Sequence, residues 1–387
     1  MFSRIFRNNW VFLVSIIISI ALLWLLETTS FFSRNEETVY LRVYEIDRCF
    51  QDGQIPCRWV QNVVGFYGSP FFNYHAPLPY YFGELVFKLT SNLFFSVKSV
   101  FVFVFIFSSI FIYLLTRRIW AKKYAVTVAI LGSFIVYYIL KLSNIEPIGK
   151  MWGLVFFTAS LYSINRLKRR LSLKNILFAE ILVAFLITSH QRSVFIFLPL
   201  VLVFIFIQFI KKQNIQFLTA SFFSIILGIL LSSFYLLPML FEKNLVHKNY
   251  LPINVEERIP KAPQARYEIL IGEAQINEFR EGSNWIELKV NADNYTIVRL
   301  SQYYFPQWRV NVNGKEIPIE YKNNSMGLMT LILGKGAYTI YARLYDTPIR
   351  ILANYITLMA MFITSLLFFT SFVRVRKWIS YYGKGIN

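Results

Sequence analysis

The side chains that could bind a metal ion or donate a proton near neutral pH are few in this chain. It has three histidines, His75, His190 and His247, and imidazole is the usual group for both roles. Their spacing matches no zinc signature, so the pattern gives no support to a three-histidine metal site. Single polar roles are therefore expected, with His190 as the donor to a phosphate or a sugar.

The two cysteines of the chain, Cys49 and Cys57, could form a disulfide. The dipeptide Asp52-Gly53 lies between them and is typical of a tight turn that would bring the two side chains together. An oxidising compartment would allow the bond to form. Two free, buried thiols are the alternative.

The composition is that of a membrane protein rather than a soluble enzyme. Of the 387 residues, 56% are apolar and only 16% are charged, whereas soluble chains usually carry about 25% charged residues. The sequence has no G-x-x-x-x-G-K-[ST] motif, no G-x-S-x-G motif and no cysteine–histidine metal signature. A nucleotide-driven pump and a soluble-type hydrolase are therefore not indicated.

The net charge of +19 is concentrated in five short basic segments that border apolar runs. Seventeen basic residues lie there with no acidic residue among them, and the other 23 nearly balance the 21 acidic residues. This excess is the pattern of cytoplasmic loops and not the footprint of a nucleic-acid-binding protein. The seventeen residues are Arg4, Arg7, Arg117, Arg118, Lys122, Lys123, Arg166, Lys168, Arg169, Arg170, Lys174, Lys211, Lys212, Arg374, Arg376, Lys377 and Lys384.

Apolar runs predict eight membrane-spanning helices. If the amino terminus lies in the cytoplasm and the chain changes sides at each predicted span, every basic segment and the carboxyl terminus lie in the cytoplasm. The expected fold is thus an α-helical multi-pass protein of the plasma membrane, with a transmembrane domain at 1–240 and a last span with a basic tail at 348–387. The predicted spans are 10–26, 99–116, 124–142, 151–165, 175–189, 191–210, 215–240 and 351–373.

Residues 241–347 predict a separate all-β domain on the extracytoplasmic face. Apolar residues alternate in short runs, as at Ile286, Leu288 and Val290, which is typical of half-buried strands. Asn313-Gly314 between two such runs predicts a type I′ hairpin. Several short strands with one apolar face predict a small β-sandwich before the last span.

Residues 27–98 form the other long outer segment. Glu36–Phe50 has apolar residues at helical spacing and predicts an amphipathic helix whose polar side carries Arg42, Glu45 and Cys49. A stretch rich in aromatic residues and proline follows. It is typical either of aromatic side chains at a membrane surface or of a rigid cleft for a lipid-linked or sugar-like ligand. The candidate binding residues in this stretch are Asn73, Tyr74, His75 and Tyr80.

Several stretches resemble one family of bacterial membrane proteins. The most specific are VYEIDRCFQDGQIPCRWV at 43–60 and YGSPFFNYHAPLPYYFGE at 67–84. The likeness continues at TSHQRSVFIFLP (188–199), FYLLPMLFEK (234–243) and YYFPQWRVNVNGKEIP (303–318). These stretches resemble the proteins called 6-pyruvoyl-tetrahydropterin-synthase-related, which have a GT-C-type glycosyltransferase architecture. Nothing in the sequence indicates pterin chemistry.

The resemblance implies a transferase that takes a sugar from a polyprenyl-phosphate donor outside the membrane. A carboxylate in the first outer loop would act as the general base or hold a metal ion. Members usually have an Asp there, a His four residues later and an Arg three residues beyond. Counting back from Arg42 by this spacing places Val39 at the histidine position and Asn35 at the aspartate position. This chain therefore has only the arginine of the three residues. Glu36 and Glu37 are the nearest carboxylates and the candidate catalytic residues, with helix capping as the alternative.

Three further polar residues, Lys150, His190 and Glu180, are candidates for a function. Lys150 stands where relatives tend to have an acid, and it either binds a phosphate or pairs with Glu146. His190 with Gln191 stands where the family usually has His-Asn. Glu180 lies inside a predicted span, where a charge is costly. It either has a function, pairs with a Ser, Tyr or Asn of a neighbouring helix, or lies close enough to the cytoplasmic edge to be wetted.

Three functions are compatible with these observations. The first is a membrane glycosyltransferase in envelope glycan assembly, with membrane lipid, a polyprenyl-phosphate-sugar donor and a glycan or protein acceptor as partners, and no nucleic acid. The pattern establishes no cofactor, and a divalent metal ion is the one that the resemblance allows. The second is a catalytically degenerate relative that acts as a lipid- or glycan-binding scaffold. The third, a transporter of lipid-linked precursors, is disfavoured because the polar residues concentrate in the outer segments.

Overall fold

The computed structural model describes the chain in two compact units. The backbone is described at residues 17, 34–119, 124, 125, 127–132, 135, 147–245 and 262–382, and the side chains at 17, 37–119, 124, 125, 127–132, 135, 148–245 and 262–371. Among these, the helical unit comprises the residues up to Val43, Ala76–Leu236 and the residues from Ala353. The β unit comprises Tyr44–His75 and Leu237–Leu352.

Helices make up most of the first 245 residues and return at the end of the described chain. Their starts have local causes: the Asn214 side chain accepts a hydrogen bond from the Phe217 amide at 3.0 Å and so caps the helix that follows. The helices are α1 Arg34–Gln51, α2 Phe71–Tyr74, α3 Leu78–Thr90, α4 Leu93–Ile119, α5 Pro147–Arg169, α6 Leu173–Ser189, α7 Gln191–Lys212, α8 Ile215–Leu231, α9 Ser233–Phe241 and α10 Pro348–Tyr382.

Three described helices are long and apolar enough to cross a membrane: Leu93–Ile119, Gln191–Lys212 and Pro348–Ser371. Helices α8 and α9 pass the same test together, but they meet at a bend of 75°. Large apolar side chains on α7, such as Phe195 and Ile210, are 63% and 70% exposed. Such exposure suits contact with lipid and would be unfavourable in water.

The prediction of eight spans is not supported, since the described residues provide three spans, or four if the bent pair counts as one. Helix α5 covers the predicted span 151–165 but carries basic residues at both ends, and α6 covers 175–189 with only 17 residues. A full crossing needs about 20 mostly apolar residues. The predicted spans 10–26 and 124–142 lie largely outside the described residues.

Small residues allow the helices of the helical unit to approach closely. A Cβ atom added at Gly228 of α8 would lie 2.9 Å from the Glu180 carbonyl oxygen of α6. The Glu180 side chain is fully buried, and its Oε1 accepts a hydrogen bond from the Thr364 hydroxyl of α10. The carboxyl group is therefore paired with a neighbouring helix, which is one of the three interpretations that the sequence left open.

The β unit contains two antiparallel sheets. One has three strands in the order β1-β4-β7, and the other has five in the order β2-β3-β8-β5-β6. The strands are β1 Tyr267–Ile271, β2 Ala274–Glu281, β3 Trp285–Ala292, β4 Thr296–Tyr303, β5 Trp308–Val312, β6 Lys315–Ile317, β7 Leu328–Leu333 and β8 Gly336–Leu344. The predicted all-β region after the helices is therefore confirmed.

One apolar core lies between the two sheets. Alternate residues of β3, Ile286, Leu288 and Val290, are at most 2% exposed, and they share a cluster with buried residues of β4 and β7 from the other sheet. The predicted hairpin is present between β5 and β6, where Val312 pairs with Lys315. Asn313 and Gly314 both have positive φ, at 49° and 84°, which is the conformation of a type I′ turn.

The segment Tyr44–His75 is built into the β unit. Trp59 is 0% exposed and belongs to the core between the sheets, with its ring 5.6 Å from that of Trp308. The Gln61 side chain donates to that of Gln302 at 2.7 Å, and the Tyr67 carbonyl accepts from the Tyr303 amide at 2.9 Å. Trp59 and Tyr67 are thus buried in the β unit, whereas Phe66 of the same stretch is 48% exposed. Contacts group the segment Tyr44–His75 with the strands. The predicted domain boundaries at 240 and 347 stay predictions.

Replacing Trp59 by alanine should loosen both sheets. Removal of a fully buried tryptophan typically lowers the free energy of unfolding by about 3–5 kcal/mol. Hydrogen exchange of the β3 and β8 amides in detergent-solubilised protein should therefore become much faster. Tyr295→Ala is the matched control, because this ring is 55% exposed and its loss should change stability by less than about 0.5 kcal/mol. Equal protection in the two variants would contradict the assignment of Trp59 to the core.

Candidate functional site

Arg42 and Tyr80 form the polar contact that joins α1 to α3 in the helical unit. Arg42 is 7% exposed and Tyr80 is 1% exposed. The guanidinium lies 5.1 Å from the centre of the tyrosine ring, and its Nη1 donates a hydrogen bond to the tyrosine hydroxyl. The ring and the hydroxyl together fix the position of the arginine, which keeps its positive charge at any physiological pH.

The predicted helix Glu36–Phe50 is present as α1, but its polar side is not exposed. Arg42, Glu45 and Cys49 are all buried, because each has a partner on another segment, and only the partner of Cys49 was expected from the sequence. The Glu45 carboxylate accepts from the Gln61 amide at 3.1 Å. Burial raises the pKa of Glu45, while Arg48 and the hydrogen bonds with residues 61 and 62 oppose the rise.

Glu84 is a buried carboxylate that the sequence argument missed. It lies four residues after Tyr80 on α3, hence on the same face of the helix, and it is 2% exposed. Lys88 Nζ lies 3.5 Å from its Oε1. Gly83, which lies between Tyr80 and Glu84 on α3, allows α1 to approach closely, because a Cβ atom at this position would lie 2.7 Å from Val43 Cγ2. The sequence does contain a signal for Glu84, since its spacing of four residues from Tyr80 places both side chains on one face of a helix.

His190 begins α7 as its N-cap. Its Nδ1 accepts from the Ser193 amide at 3.2 Å and lies 2.8 Å from the Ser193 hydroxyl. A neutral imidazole that accepts at Nδ1 carries its proton on Nε2. The start of α5 packs on this histidine: a Cβ atom at Gly149 would lie 2.9 Å from His190 Cδ2. Lys150, the next residue, is half-buried.

Contacts between α3 and α5 bring these residues to one end of the helical unit. The Phe82 ring of α3 lies 5.4 Å from the Trp152 ring of α5, and Trp152 Nε1 donates to the Val100 carbonyl at 3.2 Å. Phe82 follows Tyr80 by two residues, and Trp152 follows Lys150 by two. We call the set Arg42, Tyr80, Glu84, Lys150 and His190 the helix-end site.

The predicted catalytic carboxylates are only partly described. Glu37 is exposed near the start of α1. The side chains of Asn35 and Glu36 lie outside the described residues, as do Glu146 and His247. Their proposed roles therefore stay predictions. In the part of the chain that is described, no group of three or more His, Cys, Asp or Glu side chains is arranged to hold a metal ion.

Asn73, Tyr74 and His75 belong to the β unit, whereas Tyr80 belongs to the helical unit. Asn73 is fully buried and accepts from Arg58 Nη1 at 3.1 Å. The Tyr74 hydroxyl donates to the Glu242 carbonyl at 2.7 Å. Burial raises the pKa of Tyr74, and the charge of Glu242 raises it further, so this hydroxyl stays protonated. The His75 ring stacks on Phe71 with a centroid distance of 4.5 Å.

A cavity of about 350 Å³ in the β unit is lined by three arginines. Arg58 Nε lies 3.2 Å from Asp346 Oδ1, and the fully buried Arg350 donates from Nε to Glu242 Oε2 at 2.8 Å. Nη1 and Nη2 of Arg350 make no hydrogen bond within the described structure. Buried guanidinium groups without acceptors are costly, so this arginine cavity is suited to a carboxylate, a phosphate or water.

A second cavity of the β unit is aromatic and holds about 240 Å³. Its walls include Trp59, Phe305, Tyr304 and Tyr321, and the last two rings stack with centroids 3.9 Å apart. Aromatic faces with polar edges are suited to the flat apolar side of a sugar ring. The residues that line this cavity come from 59–70, from Leu245 and from 303–327, and most of them lie in connections outside the strands. The aromatic cleft expected from residues 27–98 alone stays a prediction.

A disulfide joins Cys49 and Cys57, with Cα atoms 5.4 Å apart. Gln54 orders the loop between them, since its Oε1 accepts from the amides of Arg58 and Trp59 at 2.8 and 2.7 Å. The crosslink therefore ties the end of α1 to the strand-like segment that delivers Trp59 to the core.

Comparisons with known proteins agree with a membrane protein. A family model described as 6-pyruvoyl-tetrahydropterin synthase related domain, membrane protein, matches residues 72–250. An uncharacterized protein of Lactococcus lactis subsp. cremoris is 26% identical over 213 residues, which is 52% of this chain and 34% of that protein. The chain thus spans about a third of the length of this curated relative. No solved structure matches the chain.

The two cysteines should be oxidised in cells. Alkylation of quenched, unreduced protein, followed by mass spectrometry, should leave both unmodified, because each sulfur is held in the bond. In Cys49→Ser the remaining Cys57 should become alkylated once the protein is unfolded. Quantitative alkylation of both cysteines in the native chain without reductant would contradict the bond.

His190→Ala should destabilise the start of α7, because the cap that satisfies the Ser193 amide is lost. Loss of an N-cap typically costs about 0.5–2 kcal/mol. His190→Asn is the matched variant, since asparagine caps well but has no imidazole. Hydrogen exchange at Ser193 and Val194 should rise in the alanine variant and stay near the native rate in the asparagine variant. Any effect on ligand binding shared by both variants would then belong to the imidazole and not to the cap.

Proposed function

We propose that this chain is a membrane glycosyltransferase-like protein that takes a sugar from a polyprenyl-phosphate-linked donor on the extracytoplasmic face. The helix-end site would bind the phosphate of the donor, and the acceptor would be a glycan or a protein of the cell envelope. The observation that carries the proposal is the buried Arg42, positioned by Tyr80, at the same end of the helical unit as Lys150 and His190.

The chemistry requires a cation for the leaving phosphate and a base for the acceptor. As the acceptor hydroxyl attacks the anomeric carbon, the bond from that carbon to the phosphate oxygen breaks, and the phosphate keeps the electron pair. Arg42 and Lys150 would stabilise this charge, the arginine through its planar fork. The hydroxyl proton would pass to a carboxylate. Glu36 and Glu37 are the proposed bases, and Glu84, on the Tyr80 face of α3, is the alternative.

We also propose a multi-pass arrangement with both termini in the cytoplasm. Support comes from the direction of the candidate spans: α4 and α7 end in Arg117-Arg118 and Lys211-Lys212, and the last span leads into a basic tail. Basic ends stay preferentially in the cytoplasm, so all three spans would run inward. The amino ends of α5 and α7, with Lys150 and His190, would then lie on the outer side.

Variants of the helix-end site should lower sugar transfer by the purified protein in liposomes. Arg42→Lys keeps the charge but loses the fork, and we expect transfer to fall about 10²-fold. Arg192→Lys is the matched control, because Arg192 is an exposed arginine two residues from His190. Its transfer rate should stay within about two-fold of the native rate, since exposed substitutions rarely matter.

The same assay tests the base. Glu36→Gln combined with Glu37→Gln should reduce transfer about 10²–10⁴-fold, the usual loss when a general base is removed. Unchanged transfer would exclude both residues, and Glu84→Gln would then be the next variant. Absence of transfer from a panel of polyprenyl-phosphate-linked hexoses, with donor binding intact, would overturn the catalytic proposal.

A glycan-binding scaffold is the second candidate, favoured by the aromatic cavity of the β unit. Tyr304→Ala would remove one of its stacked rings, and oligosaccharide binding should weaken by about ten-fold or more if a sugar stacks there. Arg42→Lys should leave that binding unchanged. The opposite pattern, binding lost with Arg42→Lys and kept with Tyr304→Ala, would favour the helix-end site as the only sugar-binding region.

A further inference from the structure

A basic cavity of about 730 Å³ lies in the helical unit where the carboxyl ends of α4 and α5 meet the start of α6. It is lined by four arginines and one lysine, and no acidic residue lines it among the described side chains. The basic residues are Arg118, Arg166, Arg169, Arg170 and Lys174. Lys150 stands at the other end of α5, about 30 Å away at 1.5 Å per residue. The basic cavity is thus separate from the helix-end site.

Rings and carbonyl groups, rather than carboxylates, hold the arginines in place. The Arg118 guanidinium lies 4.7 Å from the centre of the Tyr162 ring, and that of Arg166 lies 5.4 Å from the Phe178 ring. Arg169 Nη2 donates to the Arg118 carbonyl at 3.1 Å. These contacts fix the geometry, and none of the four arginines forms an ion pair with a carboxylate among the described residues. Like charges around one cavity repel, and a multivalent anion would relieve that repulsion.

The remaining walls provide neutral hydrogen-bond donors. Ser172 is the N-cap of α6, yet its side chain makes no capping hydrogen bond. The amino end of this 17-residue helix therefore faces the cavity with its positive dipole end. Asn175 is buried, and its Nδ2 donates to the Arg170 carbonyl at 2.7 Å, which orders the turn between α5 and α6.

Membrane topology alone does not account for this arrangement. The positive-inside rule requires basic residues near the ends of spans, and Lys211 and Lys212 at the end of α7 satisfy it without lining the cavity. Convergence of five basic side chains around one space, four from three helices and Arg170 from the turn between α5 and α6, is an additional feature. It is the kind of site that binds an anionic head group between helices.

We propose that the basic cavity binds a phosphate-bearing anion with at least two negative charges. Arginine forks match phosphate oxygens in pairs, and the volume suits a diphosphate or a phospholipid head group better than a single small ion. The phosphate could belong to a membrane lipid or to a soluble phosphoanion, and binding experiments separate these sources.

The full-length protein in nanodiscs of zwitterionic lipid provides the test. Inorganic pyrophosphate is titrated in one arm, and cardiolipin, which carries two phosphates, is added to the nanodiscs in the other, with native mass spectrometry as the readout. Arg169→Gln with Arg170→Gln should weaken binding about ten-fold or more, because two charge-assisted contacts are lost. Lys211→Gln with Lys212→Gln is the matched control with the same change in net charge, and it should weaken binding less than about three-fold.

A second double variant that preserves charge controls for misfolding or altered membrane topology as causes of weaker binding. Arg169→Lys with Arg170→Lys keeps every charge near the membrane and should still weaken binding several-fold, since the forks are lost. Selective binding of pyrophosphate identifies a soluble ligand, and selective binding of cardiolipin identifies a lipid head group. Absence of binding to either probe, or equal weakening by the arginine and lysine double variants, would overturn the proposal.

Discussion

Burial of Trp59 is the interaction on which the β unit depends. The residue comes from a segment between two helices, yet its ring fills the core between the two sheets beside Phe305 and Trp308. Three contacts hold the segment in the position that places this ring in the core. The disulfide fixes the end of α1, the Gln54 side chain accepts from the Trp59 amide, and the Gln61 side chain donates to that of Gln302. The aromatic cavity shares the same ring as a wall. Trp59 therefore contributes both to the stability of the β unit and to the shape of the aromatic cavity.

Aromatic rings also organise the cationic groups. Arg42 lies over Tyr80, Arg118 over Tyr162 and Arg350 over Phe305, at 5.1, 4.7 and 5.1 Å from the ring centres. A carboxylate would hold an arginine as well, but it would also cancel its charge. At Arg118 the ring positions the guanidinium and leaves most of its positive potential for another anion. Arg350 differs, because its Nε also donates to the Glu242 carboxylate at 2.8 Å. In a chain with 18% aromatic and only 16% charged residues, rings thus position cationic groups where acids are few.

Features set by local pattern could be predicted from the sequence, and features set by distant contacts could not. Strand alternation at Ile286–Val290 and the Asn313-Gly314 hairpin depend on neighbours in sequence, and both are present. The place of Trp59 depends on residues about 250 positions away, so no periodicity reveals it. Glu45 and Arg42 look solvent-facing by spacing because their partners, Gln61 and Tyr80, lie on other segments. The pair formed by Arg350 and Glu242 was missed for the same reason, and short helices such as α6 satisfied an apolar pattern without the length of a span.

The β unit is discontinuous in the chain, and this has a consequence for its synthesis. Tyr44–His75 is made first, and the helices of Ala76–Leu236 must follow before the first strand, β1, leaves the ribosome. At about 5–20 residues per second, the Trp59 segment waits on the order of ten seconds or more without its core. During that time its aromatic residues are exposed to water, membrane or chaperones. An arrest of translation before residue 267 would leave a nascent chain that has made the helices up to Phe241 but whose segment Tyr44–His75 has no strands to fold against.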